Sequence, residues 1–150
     1  MSVAKEKPLL DDAFDRRAVF VDTGAWVALR YLRDSYHGRA VALLRRIRAE
    51  GIEMVTTDHV LAETVTLLKA RGAVLHALAL GDAIIDGKVA RFVEINGARR
   101  RRAWELFRRY RNLRAGYVDC TSFAVMEELG LQAVFGFDSD FEAARFKLLG

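Results

Sequence analysis

The chain has 150 residues, 52% of them hydrophobic and 29% charged, with one proline and one cysteine. That length and balance suit a single globular domain that buries its own core. A lone Cys120 cannot make an internal disulfide, and no apolar run approaches the roughly 20 residues that span a bilayer. Residues 1–17 are polar and mixed in charge, without the apolar core of a signal peptide. They read as a loose leader before one domain over 18–150, in a protein expected in the cytoplasm and away from membranes.

In chain order, Ala18-Val19-Phe20-Val21 reads as a buried strand that stops at Asp22 and turns at Gly24. Trp26, Val27 and Leu29 then mark a short helix to Tyr31. Asp34-Ser35 caps a second, with Ala40, Leu43, Leu44 and Ile47 at helical spacing until Gly51. A strand over 52–56 precedes a helix capped by Thr57 or Asp58, with Val60, Leu61, Val65 and Leu68 as its apolar stripe and Glu63 beside it. After Gly72 a strongly apolar helix runs from Ala73 to Ile85, as well suited to a homodimer surface as to the core. Val89 to Ile95 alternates like a strand. Asn96-Gly97 opens an arginine-rich helix anchored by Trp104, Leu106, Phe107 and Tyr110. A helix over 120–129, a strand over 132–135, a helical turn over 141–144 and an edge strand over 146–149 complete the chain. Alternating strands and helices predict a three-layer α/β/α sandwich on a mainly parallel sheet.

Charge is distributed unevenly. Between Ala98 and Arg114 stand eight arginines against one acid, Glu105, so this segment carries +7 of a net +4 and the remainder is −3. Such a local excess is the footprint of a polyanion partner, or else a solvated helix face.

Four acids recur in comparable settings. Asp22, Asp119 and Asp138 stand where an apolar run gives way to a turn or helix, and each alone has an ordinary explanation as a helix cap. Glu63, on a helix expected to be packed, reads as a semi-buried carboxylate without a basic neighbour, which is unfavourable. Brought together, such acids repel unless a cation intervenes, and an all-oxygen set suits a hard ion, Mg²⁺ or Mn²⁺. Such an ion can assist hydrolysis at phosphorus without a histidine or serine nucleophile.

Phe20-Val21-Asp22-Thr23-Gly24-Ala25, Thr57-Asp58-His59-Val60-Leu61-Ala62-Glu63, Tyr117-Val118-Asp119-Cys120-Thr121-Ser122-Phe123-Ala124-Val125-Met126 and Phe137-Asp138-Ser139-Asp140-Phe141-Glu142 resemble, in order and spacing, the four motifs of PIN-domain ribonucleases. The resemblance covers residues 18–149. It implies a three-layer fold, Mg²⁺- or Mn²⁺-dependent cleavage of RNA, homodimers and, for small single-domain members, VapC-type toxins held inactive by a cognate antitoxin. It also implies that Asp22, Glu63, Asp119 and Asp138 surround the metal, with Asp140 substituting for or assisting Asp138. Thr23 would support Asp22 or a metal-held water. Arg99, Arg100, Arg101, Arg102, Arg108, Arg109 and Arg111 are candidate phosphate contacts. Two positions depart from the pattern: Gly136 stands where many members carry Ser or Thr, and Arg145 where glycine is common.

A non-catalytic RNA-binding module that uses the arginine helix is the alternative reading. A receiver-like signalling domain ranks below it, because Lys147 lies inside the last strand rather than after it. His37, His59 and His76 are scattered and read as surface or core residues. Cys120 reads as a packing residue, and Trp26 and Trp104 as core and interface anchors rather than base-stacking platforms.

Overall fold

A computed structural model describes residues 6–11 and 17–150. The elements are β1 (Ala18–Val21), α1 (Thr23–Arg30), α2 (His37–Ala49), β2 (Glu53–Thr57), α3 (Asp58–Ala70), α4 (Val74–Ile85), β3 (Arg91–Val93), α5 (Gly97–Arg109), α6 (Tyr117–Leu129), β4 (Ala133–Phe135), α7 (Asp140–Ala143) and β5 (Lys147–Leu148). The five strands form one sheet in the order β3-β2-β1-β4-β5. Every neighbouring pair is parallel, with Phe20 opposite Val55 on one side and Val134 on the other.

Topology fixes the layers. The chain moves outward from β1 through β2 to β3, then returns across the sheet to β4 and β5. Because parallel crossovers are right-handed, α1 to α4 cover one face and α5 to α7 the other. The sandwich expected from the alternation of elements is thus the observed one. All of β1 is buried, as its unbroken apolar run requires of a strand covered on both faces. The reversal of strand order at β1 and β4 opens a crevice at their carboxyl ends, where open α/β sheets place their ligands.

Two elements differ from the sequence reading. Helix α6 starts at Tyr117, not Cys120, because Asp119 in its first turn accepts a hydrogen bond from the Gly116 backbone N–H at 3.1 Å. Strand β3 keeps only the centre of the expected 89–95 segment. Of the expected leader, residues 6–11 lie against the body. Leu9 and Leu10 are buried, the Leu9 N–H donates to Glu50 Oε1 at 2.9 Å, and Arg46 Nη2 donates to the Lys7 carbonyl at 2.6 Å. The rest of that expectation, residues 1–5 and 12–16, falls outside the described residues. Among those described, no helix is long and apolar enough to cross a membrane.

Candidate active site

Asp22 follows β1 directly and occupies the N-cap position of α1, yet its side chain makes no capping hydrogen bond. Its backbone N–H donates to the Phe135 carbonyl at 3.0 Å, which ties the ends of β1 and β4 together. The residue is only 6% exposed. Burial first, then the charge of Asp119, push its carboxyl up to about 7; Glu63 and Asp138 add to the rise, and the Thr23 backbone opposes it. A cap residue would be stabilised in its charged form. This one is not.

Asp119 comes from the first turn of α6. Burial and the neighbouring Asp138, Glu63 and Asp140 hold its carboxyl at about 6, against the lowering hydrogen bond from Gly116. It is both a cap and a member of the cluster. Asp138 follows β4 and accepts the Asp140 N–H at 2.9 Å. One carboxylate oxygen from each of Asp119, Asp138 and Asp140 lies within 4.8 Å of the other two, a spacing that can hold a metal ion. Asp140 is raised by burial and by Asp138, and Arg114 nearby partly offsets this.

Glu63 corrects one expectation: it is exposed rather than semi-buried, at the rim of the cleft on α3. The Thr23 hydroxyl donates to Glu63 Oε1 at 2.9 Å, and its backbone interacts with Asp22. Asp22, Thr23, Glu63, Asp119 and Asp138 line one cleft of about 310 Å³. Among the described residues no Lys or Arg forms an ion pair with Asp22, Glu63, Asp119 or Asp138. Oxygen-only donors gathered in one cleft, with Asp22 and Asp119 raised by burial and by neighbouring acids, fit a hard divalent cation.

The same cleft is lined by two residues that the sequence reading passed over as functional. Asp34 caps the turn before α2 by accepting the Tyr36 N–H at 2.9 Å, and its other oxygen lies 3.6 Å from Arg71 Nη1. Arg71 stands at the end of α3 over the Tyr31 ring, 5.5 Å from its centroid. The one hint in the sequence was the turn signal at Asp34-Ser35. Nothing local linked it to Arg71, 37 positions on.

Residues 19–147 match the PIN domain family model. The chain belongs to the PIN-domain family. Within that family it is similar to the 23S rRNA-specific endonuclease VapC20 of Mycobacterium tuberculosis, with 40% identity over 130 residues that cover 85% of this chain and 95% of the relative. A VapC ribonuclease of Archaeoglobus fulgidus is 29% identical over 126 residues, covering 83% of this chain and 79% of the relative. The crystal structure of the mycobacterial VapC20, described as a sarcin-ricin loop cleaving toxin, superposes with a TM-score of 0.79 at 37% identity, over 86% of this chain and 96% of the other.

Both departures from the common PIN pattern have a local physical reading. A β-carbon at position 136 would lie 3.2 Å from Asp22 Cβ and 3.7 Å from its Oδ2, so Gly136 gives this carboxylate its room. Arg145 keeps the backbone that glycine favours, with φ of 71°, and the chain still enters β5 in register with β4.

The arginines of this PIN domain divide into two groups. Arg99 makes a bidentate pair with Glu128, at 2.7 and 3.1 Å, and donates to the Glu94 carbonyl at 2.7 Å. Arg102 pairs with Glu127 at 2.7 Å through two nitrogens and with Glu105 at 3.0 Å. Both are occupied at the carboxyl end of α6, and Asp119 is at the other end. Among the described residues, Arg100, Arg101, Arg108, Arg109 and Arg111 form no ion pair and are exposed.

Proposed function

We propose that the chain is an Mg²⁺- or Mn²⁺-dependent endoribonuclease that acts in the cytoplasm as a VapC-type toxin. The observation that carries this reading is Asp22: buried, released from capping, and raised to about 7 by its burial and by the acids around it. Asp22, Asp119 and Asp138, with Glu63 and Asp140 at the rim, would hold the cation. When bound, it would supply the positive charge that hydrolysis at phosphorus needs. The chain's own contribution is positioning. Thr23 fixes Glu63, the Gly116 N–H orients Asp119, and the Asp140 N–H orients Asp138. Arg71, at the cleft wall, is placed to meet a phosphate. Because the mycobacterial relative is named for 23S rRNA, ribosomal RNA is the first substrate to test.

The decisive assay is RNA cleavage with and without EDTA, with Asp22→Asn alongside. Cleavage should require the metal and be lost in the variant. Full activity in either control would remove the carboxylate mechanism. Salt-sensitive binding never followed by cleavage would leave the non-catalytic module instead.

A homodimer and a cognate antitoxin are the partners we propose. On α4, Leu75, Leu78 and Ile85 are exposed although strongly apolar, which supports a dimer seam there. Leu75→Lys with Leu78→Lys should give a monomer in sedimentation; an unchanged mass would move the seam elsewhere.

A further inference from the structure

On α5, Ala103 and Leu106 are buried, and Arg99 and Arg102 reach the glutamates of α6. With about 100° between successive residues, Arg100, Trp104, Phe107 and Arg108 fall together on another side of the same helix, spaced by three or four, and Arg111 follows in the turn just past its end. All five are exposed. Against the anchoring role expected from the sequence, Trp104 is 52% and Phe107 37% exposed, and the two stack on each other, with ring centroids 5.4 Å apart and 28° between planes. Tyr117 props both edge-on, at 6.1 and 6.3 Å, and meets His59 at 6.2 Å.

This cluster draws Tyr117 and His59 from the same helices, α6 and α3, that carry two acids of the cleft. Tyr117 precedes Asp119 by two residues in the first turn of α6, and His59 precedes Glu63 by one turn of α3. An exposed, flat indole held in place by two other rings is poor surface chemistry unless something covers it. The flanking guanidinium groups select a polyanion as the cover. A chain that offers flat apolar faces at intervals along a phosphate backbone is single-stranded nucleic acid.

We propose that Trp104 and Phe107 form a stacking shelf for unpaired RNA bases, with Arg100, Arg108 and Arg111 along the backbone. This rests on the ribonuclease reading and deepens it, since it names unstacked nucleotides as what the enzyme grips. Trp104 and Phe107 are binding residues. They position the strand and touch no reacting atom.

The two tryptophans allow a direct test. Trp26 is 3% exposed, its indole N–H donating to the Thr56 hydroxyl at 3.2 Å, so emission accessible to acrylamide belongs to Trp104. The full chain in EDTA is titrated with a single-stranded RNA of about 12 nucleotides, within the span that stacking sites cover. A parallel titration uses an abasic oligomer of equal length. RNA should shield Trp104 from acrylamide and the abasic oligomer should not. Trp104→Leu should weaken RNA binding about 10-fold, Trp104→Phe should restore most of it, and abasic binding should not change. With metal present, Trp104→Leu should raise KM and leave kcat within about twofold.

Equal shielding by the abasic oligomer overturns the shelf in favour of a purely ionic contact. Acrylamide-inaccessible Trp104 in the free protein overturns it in favour of a protein interface. Unchanged RNA affinity and KM in Trp104→Leu, with RNA still cut, defeats the shelf alone. A wild-type chain that neither binds nor cuts RNA defeats the nuclease reading as well.

Discussion

Two regions concentrate charge, and they treat it in opposite ways. At the α5–α6 seam, Arg99 and Arg102 meet Glu128 and Glu127, and these side-chain hydrogen bonds hold both glutamates below their usual range. In the cleft, burial and mutual repulsion hold Asp22 and Asp119 above theirs. The seam supplies its own counter-charge; in the cleft, among the described residues, no Lys or Arg forms an ion pair with Asp22, Glu63, Asp119 or Asp138. Composition alone points to the arginine helix as the functional feature, yet its inner arginines serve the fold. Unbalanced charge, not abundant charge, marks the candidate site of this PIN domain.

The largest expected effect is on activity. Asp22→Asn or Asp119→Asn keeps the shape and removes a ligand charge, so RNA cleavage should fall on the order of 10³-fold, equivalent to about 4 kcal/mol in the barrier. EDTA should do the same to the wild type. A variant that keeps a tenth of the wild-type rate would show that the cleft works without that carboxylate.

The same substitution should have the opposite effect on stability. Without metal, Asp22 has a folded pKa of about 7 against roughly 3.9 when unfolded. Between those values the native state binds more protons, so unfolding free energy falls as pH rises from about 4 to 7. Asp119, also raised, acts in the same direction. Asp22→Asn should therefore be more stable than the wild type in EDTA at pH 8, on the order of 3 kcal/mol, with the gap closing by pH 4. Thermal melts at several pH values would show it. Mn²⁺ should raise the wild-type Tm and do far less for the variant. A less stable Asn variant at every pH would mean that Asp22 is paired by something unseen in its surroundings.

The reach of the sequence follows from how local each feature is. Asp22 was legible because it directly follows a buried strand, and Asp138 because it comes three residues after one; a strand end in a parallel sheet is a position as well as a pattern. The exposure of Glu63 was not, because helical periodicity does not say how far a stripe is covered. Nor were the seam pairs, whose partners lie 25 and 29 residues apart, or the Asp34–Arg71 wall of the cleft. The last turn shows a third use of arginine: Arg145 is exposed and matters through its backbone, with φ of 71°. Arg145→Gly should relieve that conformation and raise stability by about 1 kcal/mol, with cleavage unchanged. A loss of stability would mean that the side chain contributes more than its backbone costs.

The smallest effects separate the two groups of arginines most cleanly. Arg102→Ala removes a half-exposed pair, so screening limits its cost to less than about 1 kcal/mol. Because the lowered Glu127 gains its stability above its unfolded pKa, that cost should be present at neutral pH and vanish in acid, the reverse of Asp22. RNA affinity and its salt dependence should not move. Arg108→Ala should leave the melting temperature alone and lower the salt slope of RNA binding by about 1, as loss of one phosphate contact predicts. If Arg102→Ala lowered the slope instead, the seam would open to meet RNA, and the boundary between charge that folds this domain and charge that binds its substrate would have to be redrawn through α6.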